Sequence, residues 1–304
     1  MFRHGFLTLV CITMMACAGE GPVEQAAVED SGVVEAYRKS ILEWRQERED
    51  RLRSDTGWLT VAGLYWLEEG ENTMGSAPES AIVLPPSAPP NAGVMTYANG
   101  VATFRAAPGV EVTLEGKPVV EMQLRDDTVE TTDVLSLGRL RFFIIGRGAR
   151  HAVRLRDLDS RYRQEFTGLS WYPVNPSWRV EARFVPDDPP RTLRVANIIG
   201  TVDEEASPGH AIWEHEGKEM RLAPIVSGDQ LFFIFRDATS DDATYPAGRY
   251  LYSGMPAEGK VVLDFNKAYT PPCAFTPYAT CPLPPEENRI ARRIEAGELN
   301  YVLH

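Results

Sequence analysis

Short extended runs, broken by glycine-containing turn pairs, recur along this chain and restrict its fold more than any other feature. Asn99-Gly100 separates Val94–Ala98 from Val101–Phe104, and both residues of that dipeptide tolerate the positive φ of a two-residue hairpin. Glu115-Gly116 and Glu216-Gly217 stand at similar breaks. Other extended candidates are Thr60–Trp66, Ala81–Leu84, Leu135–Ile145, His151–Arg156, Arg179–Val185, Leu193–Thr201, Ala211–His215, Met220–Pro224, Gln230–Phe235, Arg249–Tyr252 and Val261–Phe265. Short strands without alternating helices predict a mainly β fold of antiparallel sheets, a sandwich or barrel. Gln230–Phe235 is apolar on both faces and so reads as a central strand.

Two segments carry helical periodicity. From Val33 to Arg53, the residues Val34, Tyr37, Ile41, Trp44 and Leu52 recur near 3.6-residue spacing among Arg and Glu, which predicts an N-terminal amphipathic helix. Ile290 and Ile294 sit four apart within Glu286–Ala296, which predicts a short C-terminal helix. Residues 33–146 then hold the first helix and a first β module, and residues 147–304 a second module. The alternative is two packed sheets of one domain.

The N-terminus is basic at Arg3, apolar from Phe6 to Met15, and ends in Ala16-Cys17. That order describes a secretory leader over residues 1–16, with an apolar run well short of the roughly 20 residues that span a bilayer. Met14-Met15-Ala16-Cys17 resembles the lipobox of bacterial lipoproteins, which implies a lipid anchor on Cys17; a plain secretory leader is the alternative. Ala18 after the cysteine implies, by the same resemblance, the periplasmic side of the outer membrane in a Gram-negative host. Residues 17–32, small and acidic, read as a flexible tether. Cleavage would remove Arg3 and no acid, taking the net charge from −12 to −13, so nucleic acid is not an expected partner; the membrane is one through the lipid anchor. Export leaves Cys273 and Cys281, which read first as a disulfide, with free thiols as the alternative and metal ligation behind both.

Three stretches carry a family resemblance. They are Gly57–Leu67 with Gly70-Glu71-Asn72, Arg236–Ser240 with Thr244-Tyr245 and Gly248-Arg249-Tyr250, and Asp264–Phe275 running to Cys281–Pro285 and Asn288. Together they resemble the prokaryotic domain of unknown function 1684, a family that implies no activity. Residues 72–145 also resemble, in the order of their turns and strands, a forkhead-associated β-sandwich. Ser76 stands where that family's phosphothreonine-reading Arg would be, and no Ser-x-x-His lies near Ser87, so phosphopeptide reading is not implied.

Chemistry-bearing residues gather in Asp237, Thr239, Ser240, Tyr245, Arg249, Asp264, Asn266 and Tyr269. Three neighbouring strands could bring them to one rim suited to a small polar or anionic ligand, with Arg249 as the fork for a carboxylate or phosphate. The plainer possibility is a turn capped by Asp237 and a structural Arg249–Asp264 ion pair. A cell-envelope hydrolase using Asp237, Asp264 and Arg249 is the second functional reading. No Gly-x-Ser-x-Gly elbow, Walker loop or His-Glu-x-x-His is present, and no metal or cofactor is expected. A non-catalytic envelope lipoprotein that binds a small polar or anionic ligand, or a partner surface, is therefore the first reading.

Overall fold

The computed structural model describes Met1 and residues 22–301, with side chains from residue 31 onward. The rest of the leader and the anchor candidate Cys17 lie outside the described residues. The fold is mainly β, as the short runs predict, and is built on two pairs of sheets.

In the first module, one sheet runs Val61–Trp66, Arg150–Asp157, Leu140–Arg147, Leu135–Leu137, Thr113–Leu114, Lys117–Pro118 in spatial order. The facing sheet runs Ile82–Val83, Gly70–Gly75, Gly93–Ala98, Val101–Ala106, Glu121–Leu124. Met95 and Phe104 from one side meet Phe142, Ile144 and Leu155 from the other, with the rings of Phe104 and Phe142 edge-to-face at 5.2 Å. Phe143 and Ile145 point the opposite way along their strand, where Arg156 lies over Phe143 and Arg150 over Trp66. Arginine stems thus cover apolar rings that the sandwich core does not take. Asn99 and Gly100 have φ of 52° and 81°, the left-handed pair that a tight hairpin requires. The Glu-Gly pairs at 115–116 and 216–217 do the same.

Gly146–Gly148, read as the module boundary, instead lies at the tip of a hairpin. Leu140–Arg147 pairs with Arg150–Asp157 from Leu140↔Asp157 to Arg147↔Arg150, and the chain leaves the first sandwich only after Asp157. Glycine marks a turn here rather than a linker.

The second module has a sheet ordered Lys218–Leu222, Val202–His215, Arg179–Ala196, Lys260–Asp264. Its other sheet places Gln230–Asp237 between Ile225–Ser227 and Arg249–Gly254, with Arg289–Ile290 added in parallel. Gln230–Asp237 is thus the central strand its apolar faces predict. Trp213, Phe233, Phe235, Leu251, Leu263 and Phe265 fill the space between these sheets. The expected strand Arg179–Val185 and the first part of Leu193–Thr201 belong to one strand of 18 residues, Arg179–Ala196, and a turn follows over residues 197–201. The pairing jumps between Pro186 and Arg191, because prolines lack the N–H that a regular ladder needs.

Helix α1 spans Pro22–Arg53, so it begins before Val33 and includes residues 22–32 of the expected tether. Its buried stripe contains Ile41, Arg45 and Leu52, and Lys39–Glu43 and Glu47–Arg51 pair at i,i+4 on its exposed side. The grouping of this helix with the first module is corrected by its contacts. Tyr37 Oη donates to Asp264 Oδ1 at 2.7 Å and Arg45 Nη2 to the Tyr172 carbonyl at 3.0 Å, both in the second module. Polar groups on the stripe find partners there that an aliphatic sandwich face would not supply.

The C-terminal helix expected over Glu286–Ala296 is absent. A single 3-10 turn, Glu286–Asn288, leads into the two-residue strand Arg289–Ile290. Asn288 Nδ2 donates to the carbonyls of Ala223 and Ile234, and its Oδ1 accepts from the Ala223 N–H. That clamp and the neighbouring strand satisfy the backbone in an extended path, and Ile290 and Ile294 still reach the core. Two apolar anchors four residues apart do not by themselves require a helix.

Cys273 and Cys281 are joined as a disulfide, eight residues apart. The chain-entropy relation gives about 2–3 kcal/mol for so short a loop. Changing both cysteines to serine should lower the unfolding free energy by that amount in urea titrations. An unchanged midpoint would show that the surrounding core fixes this loop unaided.

Candidate functional site

The structure separates the predicted rim residues into three groups. The first is a buried knot around Asp237 and Arg249, whose side chains are fully inaccessible. Arg249 Nη2 donates to Asp237 Oδ1 at 2.9 Å and to the Ile294 carbonyl at 3.0 Å, while Nη1 donates to the Ala296 carbonyl. Asp237 also accepts from the Ile294 N–H at 2.7 Å and caps the turn Ala238–Asp241 through the Thr239 N–H. Thr239 Oγ1 and Ser240 Oγ lie 2.9 Å and 3.5 Å from Thr244 Oγ1. Each strong acceptor here has a protein donor, and none faces solvent.

Asp264 and Asn266 form the second group. Asn266 Nδ2 donates to Tyr37 Oη and to the Asn175 carbonyl, both at 2.9 Å, and Asn266 Oδ1 accepts from the Asn175 N–H. The expected Arg249–Asp264 pair does not form, since Arg249 pairs with Asp237 instead. Strand order explains why: Lys260–Asp264 pairs with the start of Arg179–Ala196 in the other sheet, from Arg179↔Asp264 to Arg183↔Lys260. Two carboxylates and one guanidinium therefore do not converge on an open surface, and the hydrolase reading loses its geometry.

Tyr245 and Tyr269 make the third group, on aromatic surfaces. Tyr245 packs against the cluster that contains Leu52, Tyr162 and Phe275. Tyr269 exchanges backbone hydrogen bonds of 2.9 Å with Tyr250 and forms part of the wall of a cleft of about 740 Å³. That volume is ordinary for a small-molecule site.

Helix α1 forms one side of this cleft with Trp44, Arg48 and Arg51, and Phe232, Tyr250, Tyr252, Lys267 and Tyr269 form the other. Alternation places Tyr250 and Tyr252 on one face of their strand, while Arg249 and Leu251 turn into the core. Tyr252 stacks on Phe232 with ring centres 4.5 Å apart. Arg48 lies 4.4 Å over the Tyr269 ring, a favourable cation–π position. Its guanidinium donates to buried Glu298 at 2.5 Å and to the Thr270 carbonyl at 2.9 Å. Burial pushes the Glu298 carboxyl above the ordinary glutamate range, although Arg48 opposes the shift. Burial likewise pushes the Tyr250 and Tyr269 phenols up, so both remain neutral. Arg51 is paired only at the exposed surface, with Glu47 at 3.7 Å.

Sequence reading found Tyr269 in this site and missed its partners. The alternation Tyr250-x-Tyr252 beside Phe232 was a legible sign of an aromatic face. Arg48 with Glu298 was not, because 250 residues separate them.

No curated protein matches this chain. An uncharacterized protein of Haloarcula marismortui, solved by solution NMR, is 29% identical, covers 47% of this chain and 81% of its own, and superposes with a TM-score of 0.39. A forkhead-associated domain studied for phosphothreonine-dependent interactions is 21% identical, covers 31% of this chain and 92% of its own, and has a TM-score of 0.22. The FhaA forkhead-associated domain is also 21% identical and covers 31% of this chain and 97% of its own, again with a TM-score of 0.22. Residues 164–299 match the family described as protein of unknown function (DUF1684), a span that takes in the second module, the disulfide and one wall of the cleft.

Proposed function

We infer that this chain is an exported, membrane-anchored protein that binds a small anionic molecule bearing an apolar ring. The aromatic cleft beside α1 carries the reading. Its stacked and edge-on rings offer apolar faces, and Arg48, Arg51 and Lys267 stand on its walls. Glu298 neutralises Arg48, but Lys267 forms no ion pair among the described residues. Local positive charge in a chain of net charge −12 favours an anion at this place over the surrounding surface. The leader and the lipobox-like Cys17 support the address: a lipid anchor ahead of α1 would hold the cleft near the periplasmic face of the outer membrane in a Gram-negative host.

Anilinonaphthalene sulfonate, an aromatic anion, is a direct probe. It should bind saturably and raise the melting temperature. Lys267→Glu together with Arg51→Glu should weaken binding by about tenfold or more, the scale of a lost charge-assisted contact. Tyr252→Ala should also weaken it. Affinity unchanged in all these variants would sink the cleft as the binding site. Separately, Cys17→Ser should release the protein from the membrane fraction, and continued membrane retention would remove the lipid anchor.

A further inference from the structure

A smaller cavity, about 320 Å³, opens where the first module's hairpin meets the second module. Arg147, Thr280, Trp58 and Glu205 are among its walls. Behind that wall lies Arg154, only 4% exposed, with its guanidinium 5.2 Å over the Trp58 ring. Among the described residues Arg154 forms no ion pair with a carboxylate: its one side-chain hydrogen bond, 3.5 Å long, goes to Thr280 Oγ1, and its Nε has none. A buried cation without a directly paired counter-ion is costly, and burial pushes this one down to about 10, with the charge of Asp127 opposing the shift. Asp127 acts on Arg154 through space but is paired with Arg147 at 2.9 Å, and Arg147 adds its own positive charge beside Arg154.

Thr280 turns this charge toward the cavity. Its oxygen accepts from Arg147 Nε at 3.1 Å and from Arg154 Nη2 at 3.5 Å. With both lone pairs facing guanidinium groups, the hydroxyl hydrogen is left to donate. Two cations polarise that donor, and an oxyanion is the partner it suits. Glu205, on the same cavity, makes no ion pair with Arg147, Arg154 or any other cation among the described residues. Asp203, also on the wall, is contacted by Asn197 Nδ2 at 3.4 Å. The cavity therefore holds an excess positive end at Thr280 and an unpaired carboxylate at Glu205, and they do not neutralise each other directly.

We propose that this cavity binds a small zwitterion, its oxyanion on the Thr280 hydroxyl before Arg154 and its ammonium toward Glu205. A small molecule carrying both an ammonium and a phosphate or carboxylate has the required chemistry. Such a group could be the head of a lipid or a free metabolite. Trp58, Tyr250, Pro272 and Pro282 line both this cavity and the larger cleft, whereas Thr280, Arg154 and Glu205 do not line the larger one.

Calorimetric titration of the whole protein in detergent tests it with phosphoethanolamine and β-alanine, against inorganic phosphate and ethanolamine. At least one zwitterion should bind about tenfold more tightly than inorganic phosphate or ethanolamine. Vesicles containing phosphatidylethanolamine should compete only if the headgroup of an intact lipid is accepted. Thr280→Val should weaken binding about tenfold, Thr280→Ser should restore it, and Glu205→Gln should abolish the preference over phosphate. Arg154→Met, an uncharged side chain of similar length, should lose ligand binding while melting no lower than the parent. Absence of binding by both zwitterions overturns the proposal, as does equal affinity for phosphate alone or indifference to Thr280→Val. None of these outcomes bears on anilinonaphthalene sulfonate in the larger cleft.

Discussion

Arg249→Met should lower the unfolding free energy by about 3–5 kcal/mol, the usual consequence of removing one member of a buried ion pair. Asp237 would then lie fully buried with its guanidinium partner gone. The Ile294 and Ala296 carbonyls would also lose their side-chain donor. Methionine preserves much of the volume, so the loss would report charge and hydrogen bonding rather than a cavity. Asp237→Asn should cost less, since an amide oxygen can still accept from the Ile294 N–H. The double variant should be more stable than the sum of the single losses implies. Urea unfolding of the three variants measures this directly. A loss below about 1 kcal/mol for Arg249→Met would mean that the pair is no better than an apolar substitute at this site. In that case its role as the clamp on the C-terminal segment would have to be abandoned.

The second large effect concerns Arg48, on the cleft wall, and Glu298, which together join α1 to the last described segment. The Glu298 side chain is fully buried and that of Arg48 is 11% exposed. Arg48→Met should also destabilise by about 3–5 kcal/mol, and it should weaken the aromatic cleft because the cation over Tyr269 is lost. The pH dependence follows from the direction of the Glu298 shift. Its folded pKa is raised, chiefly by burial, above the unfolded value of about 4.3. The folded state therefore binds more protons in the interval between those values, and stability falls as pH rises through it. The contribution is fully present below about pH 4.3 and is lost once pH passes the folded value. Melting temperatures across that interval, with Glu298→Gln as the reference, isolate this group from the other carboxylates. If the parent gains stability relative to Glu298→Gln as pH rises, Arg48 outweighs burial and the assigned direction is wrong.

The two networks show why the polar rim was only partly legible. Asp237, Thr239 and Ser240 are close in sequence, so a capped turn could be read from their types alone. The choice of Asp237 over Asp264 by Arg249 depends on which sheet each strand joins. Lys260–Asp264 joins the sheet containing Arg179–Ala196, and Arg249–Gly254 joins Gln230–Asp237. Hydrophobic alternation identifies strands without naming their neighbours. The error over Glu286–Ala296 has the same origin: the periodicity of two isoleucines was local, whereas the partners of Asn288 were 65 and 54 residues away.

Local residue order was enough to settle the mainly β character, the three left-handed turn pairs, the central strand Gln230–Asp237 and the buried stripe of α1. Each of these is set by backbone sterics or by periodic apolar burial within a few residues. It took the packed molecule to show that α1 lies on the second module, that Arg249 closes on Asp237, and that Trp44, Arg48, Tyr252 and Tyr269 line one cleft. Those outcomes depend on desolvation and pairing between groups far apart in the chain, and only the assembled sheets bring such groups within hydrogen-bonding or van der Waals reach.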